Sequence, residues 1–259
     1  MKIASYNING INGRLASLLA WLEETAPDVV CLQELKTEDA KFPRAALRKA
    51  GYGAAVCGQR AYNGVAILTK GAEPIVTRRA LPGDAQDKAS RYLEAAVKGI
   101  LIACIYAPNG NPQPGPRFDY KLAWLERLNA HAAALWASDV PVLLVGDFNV
   151  VPTDSDIYSA KSSWKDDALL QPASRAAFQR LIGQGWLDAL RTLHPTEPIY
   201  TFWDYKRDAW RRNAGLRIDH FLLSRVLHER LVDGNVDVAA RALEGSSDHA
   251  PVWLQLDEP

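Results

Sequence analysis

The sequence contains DVVCLQE at residues 28–34 and PVLLVGDFN at residues 141–149, two short apolar runs that each end near a carboxylate. Runs of this length, flanked by proline or polar residues, are typical of buried β-strands. If the two runs belong to two sheets built from similar halves, their ends lie at one rim of the molecule. The ends of strands at such a rim are where a rigid scaffold presents functional side chains.

Similar apolar runs recur along the chain and alternate with helical patterns. We predict a packed helix over 118–136, whose apolar residues share one face, and shorter helices over 15–22 and 174–182, the last one capped by Ser174. Strands mixed with helices predict an α/β or α+β protein, and the lack of a linker predicts one domain over residues 1–259. The predicted strands are 2–6, 29–32, 65–68, 100–106, 142–145, 218–223 and 252–256.

The composition excludes several classes of protein. The chain has 48% hydrophobic and 23% charged residues, which is typical of a globular protein. Thirty basic residues balance thirty acidic ones, so any contact with nucleic acid has to come from a local patch. Three cysteines without a recognisable framework indicate a reducing compartment. No signal peptide is recognisable, and the longest apolar run, 100–107, is shorter than the ~20 residues of a membrane helix. We expect a soluble, cytoplasmic protein.

Polar residues follow several of the predicted strands. The segments are SYNING at 5–10, CLQE at 31–34, IYAPN at 105–109, VGDFN at 145–149 and SSDHAP at 246–251. Carboxylate and amide oxygens without clustered Cys and His are hard ligands, which suit Mg²⁺ or Mn²⁺ better than zinc. The pattern therefore favours a divalent-metal site at the rim.

Each candidate residue also has an ordinary structural explanation that involves no chemistry. Glu34 is either a metal ligand at the end of a strand or a solvated loop acid. Asp147 and Asn149 alternate across Phe148, so an extended backbone would place both side chains on one face, whereas a turn would explain the same residue types. Alone, this pair is a weak signal.

Asp248 and His249 precede the last predicted strand, and neighbours in an extended segment point to opposite faces. We therefore expect them to have different partners. Asp219 could accept a hydrogen bond from His249 and fix its tautomer, although a surface histidine and a surface acid would also explain these residues.

The stretch at 205–212, YKRDAWRR, interleaves aromatic and basic residues. Such patterns contact backbone phosphates and exposed bases, although a solvated charged loop is the more common explanation. Its four basic residues are Lys206, Arg207, Arg211 and Arg212.

Taken together, these segments resemble the exonuclease III family of apurinic/apyrimidinic endonucleases, within the endonuclease–exonuclease–phosphatase superfamily. The resemblance runs end to end and in the order of the family. Its motifs are SYNINGI at 5–11, LQELK at 32–36, YNGVAIL at 62–68, IYAPNG at 105–110, GDFNVVPTDSD at 146–156, YTFWDY at 200–205, GLRIDHFLLS at 215–224 and SSDHAPV at 246–252.

The resemblance implies a four-layered α/β sandwich, in which two mixed β-sheets pack face to face with helices outside. It implies Mg²⁺-dependent hydrolysis of DNA phosphodiesters at abasic sites and at blocked or ordinary 3′ ends, with Mn²⁺ as the second possible ion. The implied partners are duplex DNA with abasic sites, nicks or blocked 3′ ends, and the implied state is a monomer.

The resemblance also implies a role for each site residue. Glu34 would be the principal metal ligand, helped by Asn7 and Asp248, with further metal contacts from Asp147 and Asn149. Asp147 would orient or deprotonate the attacking water, Asn149 would hold the phosphate, and Asn7 would also take part in catalysis.

Three more residues would act on the phosphate: Tyr106 would support it or the leaving group, and His249, paired with Asp219, would donate to a phosphoryl oxygen. The remaining implied residues contact the substrate. Phe202, Leu216 and Ile218 would line the pocket for a flipped sugar, and the others are Asn9, Asn109, Lys206, Arg207, Arg211 and Arg212.

Two departures from the family pattern affect these expectations. Position 9 is Asn where some relatives carry Asp, so we expect no second tightly bound metal. The stretch 155–174 does not match the pattern, and if Trp164 leans into the sugar pocket, abasic cleavage would be lost while 3′-end processing remained.

Two further hypotheses stay open at this point. One is hydrolysis of a different phosphoester, such as an RNA tail or a lipid headgroup, within the same superfamily. The second is a non-catalytic relative that binds RNA or protein. Such a relative would have lost site residues, whereas this chain keeps them, which favours an enzyme.

Overall fold

The computed structural model describes residues 1–158, 164 and 166–258, so part of the divergent stretch, 159–163 and 165, lies outside the described residues. The strands are β1 Lys2–Asn7, β2 Val29–Gln33, β3 Tyr52–Cys57, β4 Val65–Lys70, β5 Ile75–Arg78, β6 Tyr92–Val97, β7 Ile100–Tyr106, β8 Val142–Asp147, β9 Leu187–Asp188, β10 Asp219–Leu223, β11 Leu231–Val236 and β12 Val252–Leu256. The helices are α1 Leu15–Thr25, α2 Arg44–Lys49, α3 Pro116–Trp136, α4 Pro172–Gly183, α5 Ala189–Leu193, α6 Arg225–His228 and α7 Val238–Ala242.

Within the described residues, the strands form two six-stranded mixed sheets. Sheet A has the order β11-β12-β1-β2-β4-β3, and sheet B has the order β5-β6-β7-β8-β10-β9. Each sheet contains one parallel pair, β1 with β2 and β7 with β8, whereas the other neighbours are antiparallel. The predicted α/β class is confirmed.

Hydrophobic clusters between the layers hold the two sheets and the helices outside them together. In β8, Leu143 and Val145 face sheet A, whereas Val142 and Leu144 face α3 and α4. Residues in β2 alternate in the same way between sheet B and the α1–α2 layer. Because side chains alternate along a strand, a continuous apolar run is buried on both faces. The predicted sandwich, with helices outside two packed sheets, is therefore confirmed.

All of the predicted strands are present, but five others were missed: β3, β5, β6, β9 and β11. The predicted cap at Ser174 is wrong. Helix α4 begins two residues earlier, with Pro172 in its first turn, so Ser174 lies inside the helix and donates from its hydroxyl to the Ala168 carbonyl. Proline is pre-organised for the first turn of a helix, which explains the earlier start. In the part of the chain that the structure describes, no helix is long and apolar enough to cross a membrane.

Candidate active site

Strand pairing within the two sheets brings the candidate residues to one rim. In sheet B, Tyr106 pairs in register with Asp147, and Asp147 pairs with Asp219 on its other side. Gly146 lets β8 approach β7, since a Cβ there would lie 2.0 Å from the Ile105 carbonyl oxygen. In sheet A, Asn7 ends β1, and Glu34 follows directly after β2.

Glu34 lies at the centre of a hydrogen-bonded cluster. Its Oε1 accepts from the Tyr106 hydroxyl at 2.8 Å and from the Asn7 amide at 3.2 Å, and its Oε2 lies 2.9 Å from the Lys36 ammonium. Burial raises the pKa of Glu34, but the Lys36 charge and these hydrogen bonds hold it below its usual range. Glu34 has φ of 51°, a left-handed conformation that a non-glycine residue adopts at a cost of about 1–3 kcal/mol and that clusters at functional sites.

Asn7 joins Glu34 to Asp147 across the two sheets. Its amide nitrogen also donates to Oδ2 of Asp147 at 3.0 Å, and both Asn7 and Asp147 are buried. Burial raises the pKa of Asp147, the nearby His249 charge opposes that rise, and the net shift is upward. The Asp147 carboxyl is therefore held where it can gain or lose a proton more readily than an exposed acid.

Asp147 and Asn149 do meet, and of the two interpretations left open by the sequence, the turn is the one that brings them together. Strand β8 ends at Asp147, and Asn149 has φ of 50°, so the backbone turns back. The Asn149 backbone N–H donates to Oδ1 of Asp147 at 2.8 Å, and its side-chain amide donates to Oδ2 at 3.2 Å. This is the turn that Asp and Asn favour.

His249 is buried and paired with Asp219. Its Nδ1 lies 2.8 Å from Oδ2 of Asp219, and its Nε2 lies 3.8 Å from Oδ2 of Asp147. Burial opposes a charged ring, but the Asp219 carboxylate, with Asp147 and Asp248 nearby, raises the pKa of His249 to about 10. At neutral pH the ring therefore carries a proton on each nitrogen.

Asp248 has a different partner from His249, as the sequence predicts. Its Oδ1 accepts from the Asn9 amide at 3.0 Å, and the Lys36 ammonium donates to the Asn9 side-chain oxygen. Asn9 therefore links Asp248 to the lysine that is paired with Glu34.

A cavity of about 390 Å³ collects most of these side chains. Its polar lining comes from Glu34, Tyr106, Asn109, Asp147, Asn149, Asp167, Asp204, Asp248 and His249. Its apolar wall is made by Trp164, Leu169, Phe202 and Ile218. Leu216 is fully buried in the cluster behind this wall rather than lining the cavity.

Trp164 does lean into the apolar wall. Its ring packs edge-to-face on Phe202, with centroids 6.3 Å apart, and Phe202 in turn packs on His249 at 5.0 Å. Phe202 is held there because its backbone forms a bridge with His249 and the Trp203 N–H donates to the Asp248 carbonyl at 2.8 Å. The Phe202 ring therefore lies between Trp164 and His249 and contacts both.

The basic stretch is only partly placed beside this cavity. Lys206, Arg207 and Arg212 line an adjoining cavity of about 480 Å³, which shares Trp164 with the first. Arg211 lines neither cavity; it is exposed and pairs with Asp208 at 3.1 Å.

The structure adds residues that sequence reasoning did not assign. Lys36 belongs to the LQELK motif, and its place after Glu34 was the only signal for it. The Arg91 guanidinium lies 4.8 Å from the centre of the Tyr106 ring. Lys121 is fully buried beneath the Asn109 and Asn149 loops, and burial lowers its pKa to about 7 despite the nearby charges of Asp167 and Asp147.

Comparison with known proteins adds to this geometry. The sequence model of the Endonuclease/Exonuclease/phosphatase family matches residues 4–249. Exodeoxyribonuclease III of Haemophilus influenzae is 36% identical over 267 residues, which cover 99% of this chain and 100% of that protein. An AP endonuclease from Archaeoglobus fulgidus has a similar structure, with TM-score 0.94, 35% identity and 100% coverage of both chains. The 3′ phosphatase NExo from Neisseria, bound to a product DNA hairpin, also has a similar structure, with TM-score 0.95, 37% identity and 100% coverage of both chains.

Proposed function

Because this chain belongs to the endonuclease/exonuclease/phosphatase family, we propose that it is a DNA-repair hydrolase of the exonuclease III type. Its substrates are duplex DNA with nicks, blocked 3′ ends or abasic sites. The observation that carries this proposal is one cavity in which Glu34, Asp147 and His249 face the same space. That the protein acts as a monomer stays a prediction.

The exonuclease III family is generally dependent on a divalent metal ion. The oxygen donors of Glu34, Asp248 and Asn7 fit a hard cation, and we propose Mg²⁺, with Mn²⁺ as the second possible ion. In the described part of the chain, no three His, Cys, Asp or Glu residues cluster as metal ligands. Mg²⁺ is usually held by one or two carboxylates, waters and substrate phosphate oxygens, so this sparse set suits it. When bound, the ion would offset the charge that develops on the phosphate and on the leaving oxygen. Metal contacts from Asp147 and Asn149 stay a prediction.

Asp147 orients the attacking water and accepts its proton. Its raised pKa suits a general base, and two hydrogen bonds from Asn149 fix its orientation. The Asn109 and Asn149 amides, which are hydrogen-bonded to each other at 3.2 Å, present fixed dipoles to the phosphate. Tyr106 holds Glu34 in place and supports the leaving group from the same side.

His249 supplies positive charge next to the phosphate. Its Nε2–H is free of Asp219, which holds the other ring nitrogen, so it can donate to a phosphoryl oxygen. A phosphodiester is already anionic and repels the nucleophile, and a protonated imidazole in a buried site lowers that barrier. Asp219 is thus a positioning residue that keeps His249 charged.

Trp164 favours 3′-phosphate removal over cleavage at internal abasic sites. The three activities differ in the group that lies beyond the scissile phosphate. That group is absent when a 3′-phosphate is removed, is a sugar at an abasic site, and is a whole nucleotide in exonuclease action. Because Trp164 packs on Phe202, it takes up room along the apolar wall that a sugar would use. Abasic-site cleavage is the second candidate function, and the apolar surfaces of Leu169, Phe202 and Ile218 favour it.

A gel assay with two end-labelled duplexes tests both statements. One duplex carries a nick with a 3′-phosphate and the other an internal abasic analogue, each with Mg²⁺ or with EDTA. We expect fast loss of the 3′-phosphate and slow abasic cleavage by the wild type. Trp164→Ala should raise the rate of abasic cleavage at least about tenfold, because one added group in an apolar pocket changes discrimination by about that factor. Trp253→Ala, on the outer face of sheet A, is the matched control and leaves the ratio unchanged.

The outcomes distinguish the role of Trp164 in selectivity from the proposed hydrolase function. Equal wild-type rates on both duplexes, with no change in Trp164→Ala, would remove Trp164 as the selectivity residue but leave the hydrolase. Inactivity of the folded wild-type protein on both duplexes would refute the proposed function itself.

A further inference from the structure

Lys121 lies on the face of α3 that packs against sheet B. Its neighbours on that face are Trp124, Leu125 and Leu128, and it is 0% exposed. Lysine is almost never fully buried unless it is paired. The groups that it pairs with therefore explain its presence.

The partners of Lys121 are two backbone carbonyls beside the site. Its Nζ donates to the Asn109 oxygen at 3.0 Å and to the Asn149 oxygen at 2.5 Å. Asn109 lies in the loop after β7 and Asn149 in the loop after β8. The amino group of Lys121 thus ties together two loops whose side chains line the cavity.

The backbone of both loops depends on this contact. Asn149 is in the left-handed region, which turns its carbonyl back towards α3. Gly110, with φ of 92°, lies directly on the lysine stem, because a Cβ there would be 2.6 Å from Cδ of Lys121. A change at Lys121 therefore alters the backbone on which both asparagine amides are mounted.

We propose that Lys121 is a positioning residue for the phosphate site, which holds the Asn109 and Asn149 carbonyls so that the two side-chain amides face the phosphate. The inference rests on the proposed function, since it deepens the description of the same site. Lys121 does not touch the substrate, because no part of it is exposed. Its effect passes through the two loops.

The test compares Lys121→Met with Asn129→Leu. Methionine keeps the length of the stem and removes the donors. Asn129 is also buried on α3, two turns further on, where it donates to the Leu125 and Ala177 carbonyls away from the site. We expect both variants to lower Tm, but only Lys121→Met to lower kcat on the 3′-phosphate duplex, by about 10–100-fold, as is typical of residues that orient a site.

Two readouts distinguish positioning from a merely structural role. In an Asn149→Ala background, Lys121→Met should lower kcat much less than in the wild type, because residues that act through one another are not additive. In metal-free ¹⁵N-labelled protein, the side-chain amide signals of Asn109 and Asn149 should shift in Lys121→Met and not in Asn129→Leu. If Lys121→Met does not fold, Lys121→Gln, which keeps an amide donor, takes its place with a smaller expected loss.

Unmoved amide signals, an unchanged kcat, or losses that simply multiply in the double variant would each overturn the inference. The amide readout needs no activity. A wild-type protein that is inactive on every duplex would therefore refute the proposed function without deciding whether Lys121 positions the loops.

Discussion

Replacing Asp219 by asparagine should bring the titration of His249 into the neutral range. The two side chains are buried, with Oδ2 of Asp219 only 2.8 Å from Nδ1 of His249. At an effective dielectric constant of about 20, unit charges at that distance interact by about 6 kcal/mol, which corresponds to about four pKa units. An amide removes this attraction while burial still opposes the charged ring. We therefore expect the pKa of His249 to fall from about 10 by at least about two units.

Two measurements follow this shift: an NMR titration of the His249 ring in metal-free protein, and kcat/KM against pH. Wild-type activity should stay level on the basic side to about pH 9, whereas Asp219→Asn should lose activity as the pH rises above about 7. Asp188→Asn is the matched control, because it removes a carboxylate that pairs with Arg217 in the same sheet and does not contact His249. An unchanged His249 pKa in Asp219→Asn would refute the electrostatic account of the pair.

Glu34→Ala should lower kcat by orders of magnitude and weaken Mn²⁺ binding measured by electron paramagnetic resonance, with little change in Tm; full activity would contradict its assignment as a metal ligand. Asp156→Asn should cost about 1–3 kcal/mol of unfolding free energy in urea, because it removes the negative charge 2.6 Å from the buried Arg217 and leaves Asp188 as the carboxylate partner. Burial raises the pKa of Asp156, but Arg217 holds it well below its usual range. The stability from this pair is therefore present above pH ~4 and is lost as the pH falls further. A difference in unfolding free energy between wild type and variant that stayed constant into acid would contradict this prediction. Replacing both Lys206 and Arg212 by alanine should reduce the slope of log Kd against log salt for duplex DNA by about 2, and an unchanged slope would place the DNA elsewhere.

Much of the fold could be predicted from the sequence because its central strands are buried on both faces. Continuous apolar runs such as β2 and β8 leave few other interpretations. The strands that were missed carry weaker signals: β3 and β6 contain alanine pairs, and β5 and β11 are edge strands with several exposed residues.

The sequence predicts which residues belong to the site better than it predicts the contacts between them. The motifs identify Asp147 and Asp219, but their adjacency depends on strand pairing that the local sequence does not specify. Asn149 joins Asp147 through a turn that hydrophobic alternation cannot distinguish from a strand end. Lys121 was missed because a lysine on a helix is normally assigned to solvent, and only the tertiary fold brings two carbonyls over it.

The pairing of β1 with β12 has a consequence for synthesis on the ribosome. Sheet B is built from consecutive strands, β5 to β10, whereas sheet A needs β11 and β12 beside β1. A nascent chain that has emerged only as far as β10 contains Glu34 and Asp147 but not Asp248 or His249. If Asp248 and His249 act as proposed, the polypeptide gains its hydrolytic activity only when its final segment joins the first strand.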